Sequence, residues 1–187
     1  VSFYKNLNFK KIFFDLAILS TSAKNRILIL NEILKLKRIR NIIIEKIAFQ
    51  NEYDFLKAIN VLKKYKVNNW INCARNCQPI YRFIKNKIDL EKKISINVRG
   101  NSWNLASNCI HFIDLFYFLS NRNEIFHFDL EKRNEIIKAK RKGYFEIKGK
   151  VNLFNDFGDK LTLEDNNSFK ESILKVDIFN SDKKFMI

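Results

Sequence analysis

The chain has 187 residues, 47% hydrophobic and 29% charged, enough for one good core or two small ones, which excludes disorder as the main state. Four glycines, one proline and three cysteines exclude a collagen-like repeat and a disulfide framework. The formal net charge of +15 suits a polyanion partner, but no apolar run reaches the roughly 18 uninterrupted residues of a bilayer span.

The opening Val1-Ser2-Phe3-Tyr4-Lys5 has neither an initiator Met nor a basic start leading into an apolar stretch. No secretory signal is expected, and the natural N-terminus is expected upstream. Phe13 to Leu19, followed by Ser20-Thr21, has the pattern of a buried parallel strand stopping at a loop. From Lys24 to Arg38 the residues Ile27, Leu28, Leu30, Ile33, Leu34 and Leu36 recur at helical spacing, with Lys and Arg in the last turns, where the helix dipole favours them. Ile42-Ile43-Ile44 predicts a second buried strand ending in Glu45-Lys46. Asn51 predicts the cap of a helix through Lys64, and Trp70 to Ala74 a third strand.

Strand, helix, strand, helix, strand with short connections is the alternation of an open parallel sheet, whose ligands sit beyond the carboxyl ends of the strands. Those ends are Thr21-Ser22, Glu45-Lys46 and Ala74-Arg75. Past residue 75 the pattern changes. Gln78 to Ile88 reads as a short helix with Pro79 in its first turn. Ile94 to Val98 alternates as a strand, and Leu105 to Leu119 is the most apolar helix. Ile125 to Leu130, Tyr144 to Phe154, Lys160 to Leu163 and Ile173 to Phe179 read as strands of an antiparallel meander, and the chain ends in what looks like another. The expected fold class is α/β: the C-terminal part of a Rossmann-type parallel sheet over residues 1–75, then an α+β domain with an open, mostly antiparallel sheet over 76–187.

On the helix Leu105 to Leu119, Ser107, His111 and Asp114 share one face. Asp114 can orient an imidazole that takes a hydroxyl proton near neutral pH; the same spacing equally describes a core histidine satisfied by Asp114. Lys46, at a strand end, either polarises a carbonyl or packs its stem while its ammonium reaches solvent. Cys73, Cys77, Cys109 and His111 are zinc ligands by type. Cys109 and His111, however, lie about 200° apart around a helix, so no metal site is expected and the cysteines read as buried and inert. The clusters Lys35/Lys37/Arg38/Arg40, Lys63/Lys64/Lys66 and Lys138/Lys140/Arg141/Lys142 are candidate polyanion surfaces. Lys, Asn, Ile and Phe are enriched together, and their codons are rich in A and T. Base composition therefore accounts for the same lysines, and neither a nucleic-acid nor a membrane partner is expected. An odd cysteine count without an export signal suits the cytoplasm.

The order Asp15-Leu16-Ala17-Ile18-Leu19-Ser20-Thr21, Ile44-Glu45-Lys46, Asn72-Cys73-Ala74-Arg75 with Pro79, Gly100, and Leu105 to Leu115 with its His111-x-x-Asp114 resembles the glucose-fructose oxidoreductase and inositol dehydrogenase family, Gfo/Idh/MocA, over roughly residues 10–165. The resemblance implies an NAD(P)-dependent oxidoreductase acting on a carbon of a sugar, cyclitol or nucleotide-linked sugar. It places Thr21, Ser22, Glu45 and Lys46 at the cofactor, Lys46 and His111 at the reacting oxygen, and Arg75, Trp103, Asn104 and Asn108 near the substrate. It also implies a homo-oligomer through the open sheet.

Three departures stand out. Ile47 replaces the family's proline, and since a cis bond before a non-proline residue costs about 3 kcal/mol, none is assumed there. Ser107 occupies a position where many members carry aspartate, removing a carboxylate from the histidine's neighbourhood. No Gly-x-Gly-x-x-Gly turn occurs in the chain, so its pyrophosphate site and the marker that separates NAD from NADP are missing. The chain alone is expected to be inactive; the alternative is a non-catalytic basic binding protein derived from the same fold.

Overall fold

The computed structural model describes residues 13–36, 38–122, 127–131, 135–167 and 174–187, and the chain divides into two compact units, Val1–Asn72 and Cys73–Ile187. The architecture is mixed α/β, with one parallel and one mostly antiparallel sheet. The reading of the first residues, Lys37, and the expected strand starts at Ile125 and Ile173 lie outside the described residues. No helix among the described residues is long and apolar enough to cross a membrane.

In the first unit, β1 (Phe13–Leu19), β2 (Arg38–Ile44) and β3 (Asn68–Ile71) form a parallel sheet in that order. Leu19 pairs with Ile44 and Ile44 with Ile71, so all three strands stop at one level and their loops emerge together. The helix α1 (Arg26–Leu36) follows a short 3-10 turn over Ala23–Asn25, two residues later than the spacing predicts. The helix α2 (Glu52–Lys64) starts where the sequence places it. Asn51 Oδ1 accepts the Asp54 amide at 2.8 Å, with Glu52 and Asp54 in the first turn and Lys63 and Lys64 in the last, each charge complementing the helix dipole. Leu30, Leu34, Ile42, Ile44, Ala58 and Leu62 are the centre of one core.

One expectation fails here. β1 is not a buried strand: Phe13, Leu16 and Ile18 are exposed and only Leu19 is enclosed. Burial of a parallel strand needs partners at both edges and cover on both faces. β2 has strands on both sides, whereas β1 has one neighbour among the described residues. β3 is exposed along its length for the same reason and ends at Ile71 instead of Ala74.

The second unit contains a 3-10 turn (Ala74–Cys77), α3 (Pro79–Lys85), β4 (Ile94–Gly100), α4 (Leu105–Ser120), β5 (His127–Leu130), β6 (Glu135–Lys138), β7 (Phe145–Phe154), β8 (Lys160–Asp165), β9 (Lys175–Asn180) and β10 (Lys183–Met186). The strand order is β10-β9-β4-β8-β7-β5, with β6 also on β7. This is not a simple meander, because β4 lies between β9 and β8 and runs parallel to β8. Parallel neighbours need a long crossover, and α4 with β5 to β7 supplies it.

Leu105, Phe112, Leu115, Phe116 and Leu119 lay one stripe of α4 on Ile96, Val98, Leu161, Leu163 and Ile178 of the sheet. This is the apolar face that the helical spacing predicts. β7 pairs with β8 from Gly149 onward and with β6 before it. Gly149 has φ +136°, and this change of partner is made at a residue without Cβ, the one type that takes such a conformation freely.

Candidate functional site

Two groups of side chains gather at the ends of these elements, one in each unit. In the first, the loop after β1 carries Thr21 and Ser22, and the loop after β2 carries Glu45 and Lys46. Backbone bonds continue the sheet by one step, Glu45 N–H to Leu19 O at 3.0 Å and Asn72 N–H to Ile44 O at 2.8 Å. The Glu45 carboxylate accepts the Asn72 amide group at 2.9 Å and the Lys46 N–H at 3.1 Å. Glu45 thus organises its own turn. The Lys46–Ile47 peptide is cis although Ile47 is not proline, which corrects the reading above. Lys46 is half-buried, and Thr21 Oγ1 is buried with no hydrogen-bond partner among the described residues.

The residue that joins these loops is Arg26, only 3% exposed. Its guanidinium donates to Thr21 O at 3.1 Å through Nε and again through Nη2. Through Nη1 it donates to Glu45 O, to Ile47 O at 2.6 Å and to Ala48 O at 2.9 Å. One planar fork therefore reaches both strand-end loops, a geometry that lysine cannot reproduce. A signal was present in the sequence: an arginine opening a helix sits at the end whose dipole disfavours a cation.

In the second unit the 3-10 turn packs on α4. Asn76 Nδ2 donates to Asp114 Oδ2 at 3.0 Å, and the Arg75 guanidinium lies over the Phe112 ring, 4.1 Å from its centre, an attractive cation–π geometry. Arg75 Nε is buried with no hydrogen-bond partner among the described residues. Burial pushes the Asp114 carboxyl above its ordinary range, since water is lost around the charged form. Asp114, which helical spacing offers to His111, is thus also engaged by Asn76, a residue that no pattern in the sequence marks. His111 is half-buried on the same helix.

The loop before α4 is tightly specified. The carboxylate of Asp165, 2% exposed, accepts the Ser102 N–H at 2.6 Å and the Asn104 N–H at 3.1 Å. Ser102 and Asn104 both have φ near +60°, and these two bonds hold them there. Trp103 donates to Glu164 O at 2.8 Å and sets its ring edge against Phe112, while Asn108 donates to Trp103 O at 2.7 Å. A Cβ on Gly100 would meet Trp103 and Leu174 side chains at 3.1 Å, so the close approach favours glycine. Asn104 gives α4 no side-chain cap; instead Glu146 of β7 accepts from Ser107, at 3.2 Å from its N–H and also from its hydroxyl.

The structure therefore brings together Thr21, Glu45 and the Lys46 backbone around Arg26, and Arg75, Trp103, Asn108 and the helix of His111 around Phe112. Ser22, half-buried, stands just before the 3-10 turn that leads into α1. Cys77 is exposed, not buried as read above, and its thiol donates to Asn76 Oδ1 at 3.1 Å. Among the described residues no three His, Cys, Asp or Glu side chains group as metal ligands would.

No family model and no curated protein sequence matches the chain. Solved structures do. The chain is similar to a dehydrogenase, MviM, from Clostridium difficile (18% identity, TM-score 0.68, covering 92% of this chain and 56% of that one). It is also similar to a protein of Sinorhizobium meliloti assigned as a myo-inositol dehydrogenase (13%, 0.67, 92% and 56%). A third is a super-repressor mutant of Gal80p from Saccharomyces cerevisiae (11%, 0.69, 92% and 55%). These neighbours are of the Gfo/Idh/MocA type that the sequence resembles, and the chain has their fold. It spans a little over half of their length.

Proposed function

We propose that the chain is the nicotinamide-proximal and substrate-binding part of an NAD(P)-dependent oxidoreductase, which moves a hydride between the cofactor and a carbon of a sugar, cyclitol or nucleotide-linked sugar. The observation that carries this reading is the cluster on α4. Arg75, Asn76, Phe112 and Asp114 lock the residues expected at the substrate onto the helix of the expected proton carrier.

The nicotinamide end of the cofactor fits the first unit: Thr21 presents a buried hydroxyl with no partner among the described residues, at a strand end. The pyrophosphate end does not fit, because no glycine-rich turn is present in the 187 residues. The bound nicotinamide supplies or accepts the hydride. On this reading the Lys46 ammonium stabilises negative charge on the reacting oxygen, and His111 takes the hydroxyl proton in oxidation and returns it in reduction. Arg75 and Asn108 hold substrate hydroxyls, with Trp103 as the adjoining wall. Residues 1–75 are the remainder of the dinucleotide-binding domain, and 76–187 are the substrate domain, whose open sheet also forms a homo-oligomer.

The exposed apolar residues of β1, Phe13, Leu16 and Ile18, support a further strand beside it in the active protein. The test is to express the chain with whatever its reading frame supplies upstream of Val1 and to follow nicotinamide absorbance with sugars, cyclitols and nucleotide-linked sugars. Activity lost in His111→Ala and Lys46→Ala supports the reading; an extended protein with a glycine turn that binds neither NADH nor NADPH overturns it.

A second reading, a non-catalytic basic binding protein, is favoured by the likeness to Gal80p and by the +15 charge. It requires polyanion binding that weakens steeply with salt.

A further inference from the structure

We propose that Glu146 is a positioning residue for His111 and acts through Ser107, supplying from β7 the carboxylate that position 107 lacks. The inference deepens the oxidoreductase reading and rests on it for its catalytic meaning. Its physical core, a charge felt by His111, stands on geometry within the second unit.

Glu146 lies on β7 and is 7% exposed. Its two carboxylate oxygens take the N–H and the hydroxyl of one residue, Ser107, and it forms no ion pair among the described residues. The carboxylate faces the first turn of α4, the helix end that favours a negative charge.

A serine hydroxyl has one proton to give and two lone pairs to receive with. Asn104 O lies 3.4 Å from the same hydroxyl, but the shorter contact is to Glu146, and giving the proton there leaves Ser107 Oγ an acceptor toward His111. His111 stands four residues on, on the same face, with Cβ atoms about 5–6 Å apart. An imidazole N–H directed at Ser107 is thereby favoured, and the charge of Glu146, one hydrogen-bond length beyond Ser107 and so on the order of 8 Å from the ring, favours the protonated imidazole. Serine at 107 is then not a lost aspartate but one half of a two-residue device.

Among the described residues, Arg75 from the 3-10 turn also packs on α4 and opposes the effect, and Asp114 on α4 itself adds to it. Lys85 of α3 is tied to Leu119 O at the far end of the helix. From β8, Asp165 is committed to the Ser102 and Asn104 amides.

The chain contains only two histidines, His111 and His127, so imidazole NMR resonances of the 187-residue protein can be assigned with one His127→Gln variant. Removing one charge about 8 Å away at an effective dielectric between 20 and 80 predicts that Glu146→Gln lowers the His111 titration midpoint by about 0.4 to 1.5 pH units. His127 should not move. Ser107→Ala keeps the carboxylate and removes the relay, so it should change the ring nitrogen shifts that report the His111 tautomer. It also serves as the test if Glu146→Gln does not fold. An unchanged His111 midpoint in folded Glu146→Gln, or an unchanged tautomer in Ser107→Ala, overturns the proposal. Neither readout needs a cofactor, so failure here leaves the oxidoreductase reading standing, and failure of nicotinamide turnover leaves this result standing.

Discussion

Replacing Arg26 tests whether one buried cation holds the two loops that carry Thr21, Ser22, Glu45 and Lys46. Its fork serves four carbonyls, those of Thr21, Glu45, Ile47 and Ala48. Nη1 has two protons for three of them, so no more than about four bonds reach full strength. A net bond from a charged donor contributes about 1.5–3 kcal/mol, but burying the guanidinium costs several kcal/mol by desolvation. In Arg26→Ala most of the released carbonyls regain water, since only the Ala48 bond is fully buried. The balance predicts a loss of about 2–4 kcal/mol, seen as a fall in Tm of about 5–15 °C for a chain of this size. Hydrogen exchange should quicken first at residues 21–25 and 45–50. Arg26→Lys keeps the charge and loses the fork, and should recover less than half of the loss. The competing outcome is physical: Arg26→Met fills the site with an apolar stem, and buried charges replaced in this way sometimes stabilise. A more stable Arg26→Met with unaltered loop exchange, or an Arg26→Lys equal to the parent, would refute the clamp.

Asp114→Asn should separate from the parent as pH rises. Burial raises the folded carboxyl's pKa, so the folded state holds the proton more tightly than the unfolded one. The parent therefore loses stability as pH climbs from the ordinary carboxylate range through the raised value. The asparagine variant keeps the Asn76 bond and lacks this slope, which urea titrations at acid and neutral pH would show; parallel curves would count against it. Phe112→Ala empties a fully enclosed site and removes the surfaces under Arg75 and Trp103. A loss of about 3–5 kcal/mol in chemical denaturation is expected, and a loss under 1 kcal/mol would mean that the helix does not seat there. Gly100→Ala forces contacts at 3.1 Å on Trp103 and Leu174 and should cost about 1–3 kcal/mol, with a change in Trp103 fluorescence. Asn51→Ala should cost about 1 kcal/mol through the lost α2 cap, readable as a small fall in Tm.

Periodicity made the interior elements legible and the edges illegible. α4 was plain because a helix lying on a sheet repeats its apolar residues at fixed spacing, whereas of β2 only the β-branched run Ile42-Ile43-Ile44 was legible and its first half, from Arg38, was not. β1 has an equally apolar sequence yet is exposed at Phe13, Leu16 and Ile18, because hydrophobicity does not say how many neighbours a strand has. β6, Glu135-Ile136-Ile137-Lys138, is too short and too charged at its ends to show alternation. The place of β4 between β8 and β9 depends on long-range pairing that no local pattern encodes.

The site was legible in kind and illegible in support. The spacing of Ser107, His111 and Asp114 follows from one helix, but the partners of that stripe come from elsewhere: Asn76 from the preceding turn and Glu146 from a strand 39 residues beyond Ser107. Arg26 and Glu146 share a property that patterns built on propensity treat as noise. Arginine opens a helix at the end that disfavours it, and glutamate is buried in a strand without an ion-pair partner among the described residues. Residues placed against their local preference persist when a tertiary task compensates them, and here both compensations are visible: four carbonyls around Arg26, and one serine under Glu146. Such misfits, more than the motifs, locate what holds each of the two candidate clusters in place.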